Sequence, residues 1–242
     1  MASTNPIVSE LERLPRGRHG LSREQVSGQQ RDRILAATVD VVAERGYPET
    51  RVVDIITVAG VSRKTFYELY EDKEECFLAA FDVAAGALLK VADDGYQAHP
   101  EASWAERIRE GLANFLQIIA DRPTAAKVCI VEVLAAGPKA IARRDAVMRR
   151  FTHYIEQGRG DTSVELPGMT SQALVGGIYE LLYSEILHGA TAHLPARLPD
   201  VMYWITHPFL GDKRAGEERE RTRELIESGN ALAAPGKYAH AA

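Results

Sequence analysis

The run TRVVDIITVAGVSRKTFYELYEDKEECFLAAFD, Thr50 to Asp82, decides the fold of this 242-residue chain. Val52, Ile55, Ile56 and Ala59 stand at i, i+3, i+4 and i+7, an apolar face two helical turns long. Gly60 stops that helix. Ser62 is a good N-cap for a second short helix, which turns Phe66, Leu69 and Tyr70 inward. A longer helix follows from about Lys73 to Ala92, with Phe77, Phe81, Ala84, Leu88 and Val91 on one stripe. Upstream, Ile34, Leu35, Val41 and Val42 mark a helix that starts near Gln29 and stops at Gly46, with Pro48 preventing continuation. Two short helices joined by a Gly-containing turn, behind a longer one, are the layout of a helix-turn-helix.

In such a motif the second short helix enters the major groove and its first residues reach the base edges. Here it reads Ser62-Arg63-Lys64-Thr65-Phe66-Tyr67. Phe66 belongs to the core, which leaves Arg63, Lys64 and Thr65 outward. Arg or Lys matches guanine O6 and N7, and Thr matches the thymine methyl group. Tyr67 places a phenol where a phosphate oxygen is the natural partner. The competing reading of these residues is a helical hairpin with a charged, solvated face.

The same run resembles the DNA-binding region of TetR-family transcriptional regulators, in Gly46, Asp54, Ile55, Ala59-Gly60-Val61-Ser62, Phe66-Tyr67, Tyr70 and Lys73-Glu74. The resemblance covers roughly residues 31–81; beyond them only helix count and lengths agree. It implies that Tyr67 and Lys73 contact phosphates, with the backbone N–H at the start of the Lys73 helix helping to hold the anion. It also implies a phosphate contact from Thr50 or Arg51. The family often has a small hydroxyl at the second of these positions, where this chain has Arg51, so a cap-like hydroxyl and a longer cationic arm both remain open. Leu69 replaces a residue that is often aromatic.

Residues 1–28 read as a basic, flexible arm. Within 13–33 six arginines face two acids, while the whole chain carries a net charge of -5. The arm is either a free tail or an extension in which Arg16 and Arg18 enter the neighbouring minor groove. Residues 29–75 form the expected DNA-binding domain, 76–212 an effector-binding and dimerisation domain, and 213–242 a charged helix ending in a frayed tail. Further helices are expected over 103–121 from the cap Ser103, over 123–136, over 138–158, over 170–190 and over 196–211. No alternating strand pattern is found. The expected fold is all-α: an N-terminal three-helix helix-turn-helix domain, then a C-terminal helical bundle for ligand sensing and dimerisation.

The C-terminal helices carry polar or aromatic side chains on otherwise apolar faces, among them Phe115, Cys129, Glu132, Tyr154, Tyr179, Tyr183, Glu185 and His188. Apolar walls with a few polar groups make small-molecule pockets. Each of these residues taken alone also reads as ordinary packing, and a bundle serving only dimerisation is the plainer alternative. The first six are the expected effector contacts. Residues 170–190 are apolar on nearly every side, so the helix must be covered on every side. One side is expected to pack within its own subunit and the other on a second copy, through Leu174, Gly177, Ile178 and Leu181, with Met202 and Ile205 from the next helix. Gly176 and Gly177 would allow close approach. The resemblance implies this homodimer and, with it, a palindromic operator whose half-sites lie about 34–36 Å apart or a multiple of that. It implies, too, that effector binding releases the DNA, with the fourth helix as lever.

Two cysteines make no disulfide framework, and no apolar run approaches the ~20 residues a membrane span needs. A cytoplasmic protein without membrane association is expected. The phosphate-binding, zinc-protease and serine-hydrolase motifs are missing and the seven histidines are scattered. An enzyme is therefore the weaker reading, and no cofactor or metal is expected. A helical carrier that has lost DNA binding is the other rival; Arg63, Lys64, Tyr67 and Lys73 argue against it. The expected partners are a double-stranded DNA operator, a second copy of the chain and a small-molecule effector.

Overall fold

A computed structural model describes residues 23–228. Among them are nine α-helices: α1 (Arg23–Arg45), α2 (Val52–Ala59), α3 (Arg63–Leu69), α4 (Lys73–Gln97), α5 (Trp104–Asp121), α6 (Pro123–Ile130), α7 (Pro138–Glu156), α8 (Thr170–Leu187) and α9 (Leu198–Glu227). Single 3-10 turns follow α6, α7 and α8, and the described residues contain no strand. The all-α expectation holds. Arg16, Arg18 and the tail beyond Ser228 lie outside the described residues. The boundary of the arm does not hold: α1 begins at Arg23, six residues before the expected start, and runs through Gly28.

Two apolar clusters organise the chain. The smaller gathers Ile34, Ile55, Phe66, Tyr70 and Cys76 from α1, α2, α3 and α4. The larger gathers the inward faces of α4 to α9. The fourth helix supplies both, with Cys76 and Ala80 on one side and Phe77, Phe81, Leu88 and Tyr96 on the other. It also runs past Asp93-Asp94-Gly95 to Gln97, where the sequence pattern alone closes it. Gly95 and Gly111 explain the continuation. A Cβ on Gly95 would lie 2.8 Å from the Glu110 carbonyl, and one on Gly111 3.1 Å from that of Ala92, so α4 and α5 cross with backbones nearly touching.

The expected 123–136 helix ends at Ile130 and continues as a 3-10 turn, Glu132–Ala135. Helix α9 breaks at Gly211, which takes φ +77, and the charged segment beyond it is anchored rather than free. Arg109, 3% exposed, pairs with Glu218 at 2.6 Å, Arg221 with Glu106 at 2.8 Å, and Ala215 and Thr222 are fully buried.

Candidate nucleic-acid interface and its linked cavity

The turn between α2 and α3 is fixed by two devices. Gly60 sits in the left-handed region at φ +63, where L side chains are strained, and its N–H donates to the Ile56 carbonyl. Arg33 of α1 then reaches across and donates to the Ala59 and Gly60 carbonyls, the latter at 3.1 Å. A Cβ at position 60 would meet that guanidinium at 2.7 Å. Arg33, counted by the sequence among the arm's charges, is thus a clamp on the turn.

Helix α3 starts as the sequence predicts. The Ser62 hydroxyl accepts from the Thr65 N–H at 3.0 Å and lies 2.9 Å from the Thr65 hydroxyl. Phe66 is fully buried, with Tyr70 beside it. Opposite them Arg63 and Lys64 are exposed and Thr65 is half-buried. The Lys64 side chain is 85% exposed and approaches Glu68 at 3.5 Å, a surface pair too weak to hold it. Tyr67 is 47% exposed, and the Arg63 guanidinium lies 5.6 Å from its ring centre. Helix α3 therefore presents two cations and a phenol that are exposed among the described residues.

Two of the residues expected to contact phosphate engage the protein itself. Thr50 is 1% exposed and its hydroxyl donates to the Gly46 carbonyl at 2.8 Å, so it faces inward. Arg51 is the outward member of that pair: it caps α2 and pairs at 3.3 Å with Asp54, which also binds Arg45 at 3.1 Å. The hydrogen bond from Arg51 leads in holding the Asp54 carboxyl below its ordinary value. Lys73 is half-buried, and its ammonium donates to the Tyr47 carbonyl at 2.8 Å while lying 4.2 Å from the Tyr47 ring centre. Desolvation lowers its pKa. The lysine at the head of α4 is a strut, because the loop carbonyl beside it needs a donor.

Tyr47 emerges as the joint between the two clusters, a role no sequence signal marks. Its carbonyl is held by Lys73 and its ring packs edge-on to Phe77 at 4.8 Å. Its N–H donates to Glu132 at 2.9 Å. Four residues upstream, the Ala43 carbonyl accepts from Lys127 at 2.6 Å. Glu132 is thereby a buried tie between the bundle and the helix-turn-helix, and it does not line the cavity between the bundle helices.

Between α4, α5, α6, α7, α8 and Ile205 of α9 lies a cavity of about 100 Å³. Phe115, Cys129, Tyr154 and Tyr179 line it, as the sequence predicts; Tyr183 does not and packs elsewhere against the core. Arg144, which the sequence reading passed over, is on its wall. Cys129 and Ile130 line it from the end of α6, and the Tyr179 hydroxyl donates to the Ile130 carbonyl at 2.5 Å. The cavity wall and the grip on Tyr47 are thus one short stretch of chain. Burial pushes the Cys129 and Cys76 thiols up to about 12, so both are protonated at neutral pH.

Four of the six expected dimer residues are corrected as well. Leu174, Ile178, Met202 and Ile205 are buried within a single subunit, and Ile178 and Ile205 face the cavity. Leu181 is half-buried against the same core. Gly177 is covered by Trp204, whose ring would lie 2.0 Å from a Cβ there. Outward along these two helices are, among others, Ala173, Gly176, Glu180 and Leu187, with Trp204 at 46% exposure. A helix apolar all round had to be covered all round, but most of the cover is intramolecular.

Residues 34–80 match the family described as bacterial regulatory proteins, tetR family. A curated relative, the HTH-type transcriptional regulator EthR of Mycolicibacterium smegmatis, is 31% identical over 131 residues, 52% of this chain; the chain spans 57% of that relative's length. Among solved structures, the regulator FadR from Bacillus subtilis in complex with stearoyl-CoA aligns with a TM-score of 0.64 at 19% identity, over 74% of this chain and 97% of that one. A TetR family transcription regulator from Marinobacter aquaeolei aligns with a TM-score of 0.60 at 24% identity, over 75% and 96%. No helix among the described residues is long and apolar enough to cross a membrane. The helix-turn-helix segment is thus similar to that of the tetR family of bacterial regulatory proteins, and the fold is shared with the solved regulators across the bundle.

Proposed function

We propose that the chain is a ligand-responsive transcriptional repressor that binds a palindromic operator as a homodimer. The observation that carries this reading is the outer face of α3, exposed among the described residues. Arg63, Lys64 and Tyr67 project from a helix whose start is capped by Ser62 and whose approach is clamped by Arg33. Arg63, Lys64 and Thr65 read bases; Tyr67 and Arg51 contact phosphate. Lys73 acts indirectly, by holding the loop before α2. Where FadR has stearoyl-CoA in its complex, this chain has an apolar cavity as its effector site.

Release follows from the joint at Tyr47. A ligand that displaces the end of α6 displaces Lys127 and Glu132, and with them the carboxyl end of α1 and the loop before α2. The ligand shifts the equilibrium only by its preference for one of the two arrangements. The second copy packs along the outward strip of α8 and α9, with Ala173, Gly176 and Trp204 at its centre.

Fluorescence anisotropy with DNA from upstream of its own gene tests this reading. Saturable, sequence-dependent binding that weakens steeply with salt is expected, since each neutralised phosphate releases counterions. Equal, weak affinity for every sequence would overturn it.

A further inference from the structure

The end of α6 belongs both to the cavity wall and to the grip on the helix-turn-helix, and one hydroxyl holds it. Ile130 closes α6, and the last carbonyls of an α-helix have no partner within it. The Tyr179 hydroxyl of α8 fills that need, donating to the Ile130 carbonyl at 2.5 Å. The same hydroxyl accepts from Arg144 of α7, whose guanidinium lies 4.1 Å from the Tyr179 ring centre and also donates to Asp145 at 2.9 Å. Arg144, Tyr179 and Ile130 all line the cavity. Two residues beyond Ile130, the Glu132 carboxylate accepts from the Tyr47 N–H at 2.9 Å. Three residues before it, Lys127 donates to the Ala43 carbonyl at 2.6 Å. The other phenols on the wall lead elsewhere. Tyr154 donates to Asp93 and Tyr96 to Gln157, side chains outside the segment that holds Tyr47.

We propose that Tyr179 is a positioning residue: its hydroxyl, held by Arg144, fixes the carbonyl that ends α6 and so keeps Glu132 and Lys127 on the loop before α2. The assignment rests on the effector reading above and names the part of the wall that passes occupancy to the DNA-binding domain. A phenol oxygen lies on the axis of its ring, so a ring flip leaves the bond in place. Only a change of χ1, a jump between staggered wells, withdraws it. The latch therefore has two discrete positions, the kind of element that carries coupling between sites. A ligand seated against the Tyr179 ring acts by forcing that jump. The carbonyl of Ile130, a residue 6% exposed, is then left unanswered, and the chain between Lys127 and Glu132 must shift to find it a donor.

The test needs no ligand. Tyr179→Phe keeps the ring and removes the hydroxyl. In the full chain, hydrogen exchange at the Tyr47 amide, read by NMR, is expected to quicken about fivefold to tenfold, the scale of one lost hydrogen bond. The slowest amides of α4 are expected to keep their wild-type rates. Affinity for DNA from upstream of its own gene, read by anisotropy, is expected to fall by a comparable factor. Because Tyr179 acts through Glu132, the double variant Tyr179→Phe/Glu132→Ala is expected to bind that DNA no more weakly than Glu132→Ala alone. Arg144→Met leaves the Tyr179 hydroxyl but removes its tether, and is expected to quicken Tyr47 exchange by a smaller factor. Unchanged Tyr47 exchange in either variant, equal quickening of all amides, as a merely structural residue would give, or additive losses in the double variant overturns the latch and leaves the cavity as the effector site. Quickened exchange at Tyr47 with DNA affinity unchanged overturns the effector reading while the latch stands.

Discussion

The helix-turn-helix and the bundle are built from the same kind of helix but constrained differently. In the first, elements of seven and eight residues leave each position one role: Phe66 is core, Lys64 is solvent, Ser62 is cap. In the second, helices of eighteen residues or more carry apolar side chains in several directions, and direction alone does not say whether core, cavity or partner lies beyond. Short capped elements are specified locally; long apolar ones are specified by their neighbours.

The largest expected effect tests the small cluster's dependence on one ring. Phe66→Ala should cost about 3–5 kcal/mol of stability in chemical denaturation. A cost under 1 kcal/mol would mean that α1, α2 and α3 do not share a core. Next comes the tie between the regions. Glu132→Ala leaves the Tyr47 N–H unanswered and should cost about 1–3 kcal/mol in the same measurement. It should also shrink the effect of a bound ligand on operator affinity; full ligand response in that variant would move the coupling away from Glu132.

At the reading surface, Lys64→Ala should weaken operator binding by about 1–3 kcal/mol and relax sequence preference, whereas Arg51→Ala should weaken all sequences alike and flatten the salt dependence. Anisotropy across a set of mutated operators separates the two. Acid offers a smaller, graded probe. The folded Asp54 carboxyl is held below its ordinary value by Arg51 and Arg45, so it binds its proton less readily than in the unfolded chain. Its contribution is complete above the ordinary carboxylate range, ~4, and is lost as pH falls through the lowered folded value. Asp54→Asn should therefore flatten the acid limb of the stability profile. Least of all, Lys139→Ala removes an exposed 2.9 Å pair with Glu74 and should change stability by under ~1 kcal/mol.

The sequence made legible whatever is governed by neighbours a few residues away. The Gly60 stop, the Ser62 and Ser103 caps and the outward Arg63 and Lys64 all follow from spacing and hydrogen-bonding capacity. Four of the six expected cavity residues are on the wall because they lie on inward helix faces. The partners of Lys73 and Thr50 were not legible for a different reason: carbonyls of the α1–α2 loop accept from both groups, and only the folded loop brings those acceptors near. Leu174, Ile178, Met202 and Ile205 went astray because α8 and the start of α9 are buried chiefly by their own subunit. Arg144 escaped notice because an arginine on a polar-rich helix looks like solvent, and only burial of one nitrogen distinguishes it.

The grip on the α1–α2 loop is made on the main chain. Lys127 holds the oxygen of residue 43, and Glu132 and Lys73 hold the nitrogen and oxygen of residue 47. Exchanging the side chains at 43 or 47 leaves those atoms in place, so a scan of the loop itself would register mostly lost packing. Only proline at 47, which deletes the hydrogen that Glu132 accepts, would unfasten the loop from within. The joint is thus tolerant of drift at the positions it fastens and exposed to change at Lys73, Lys127 and Glu132, the three residues that do the fastening.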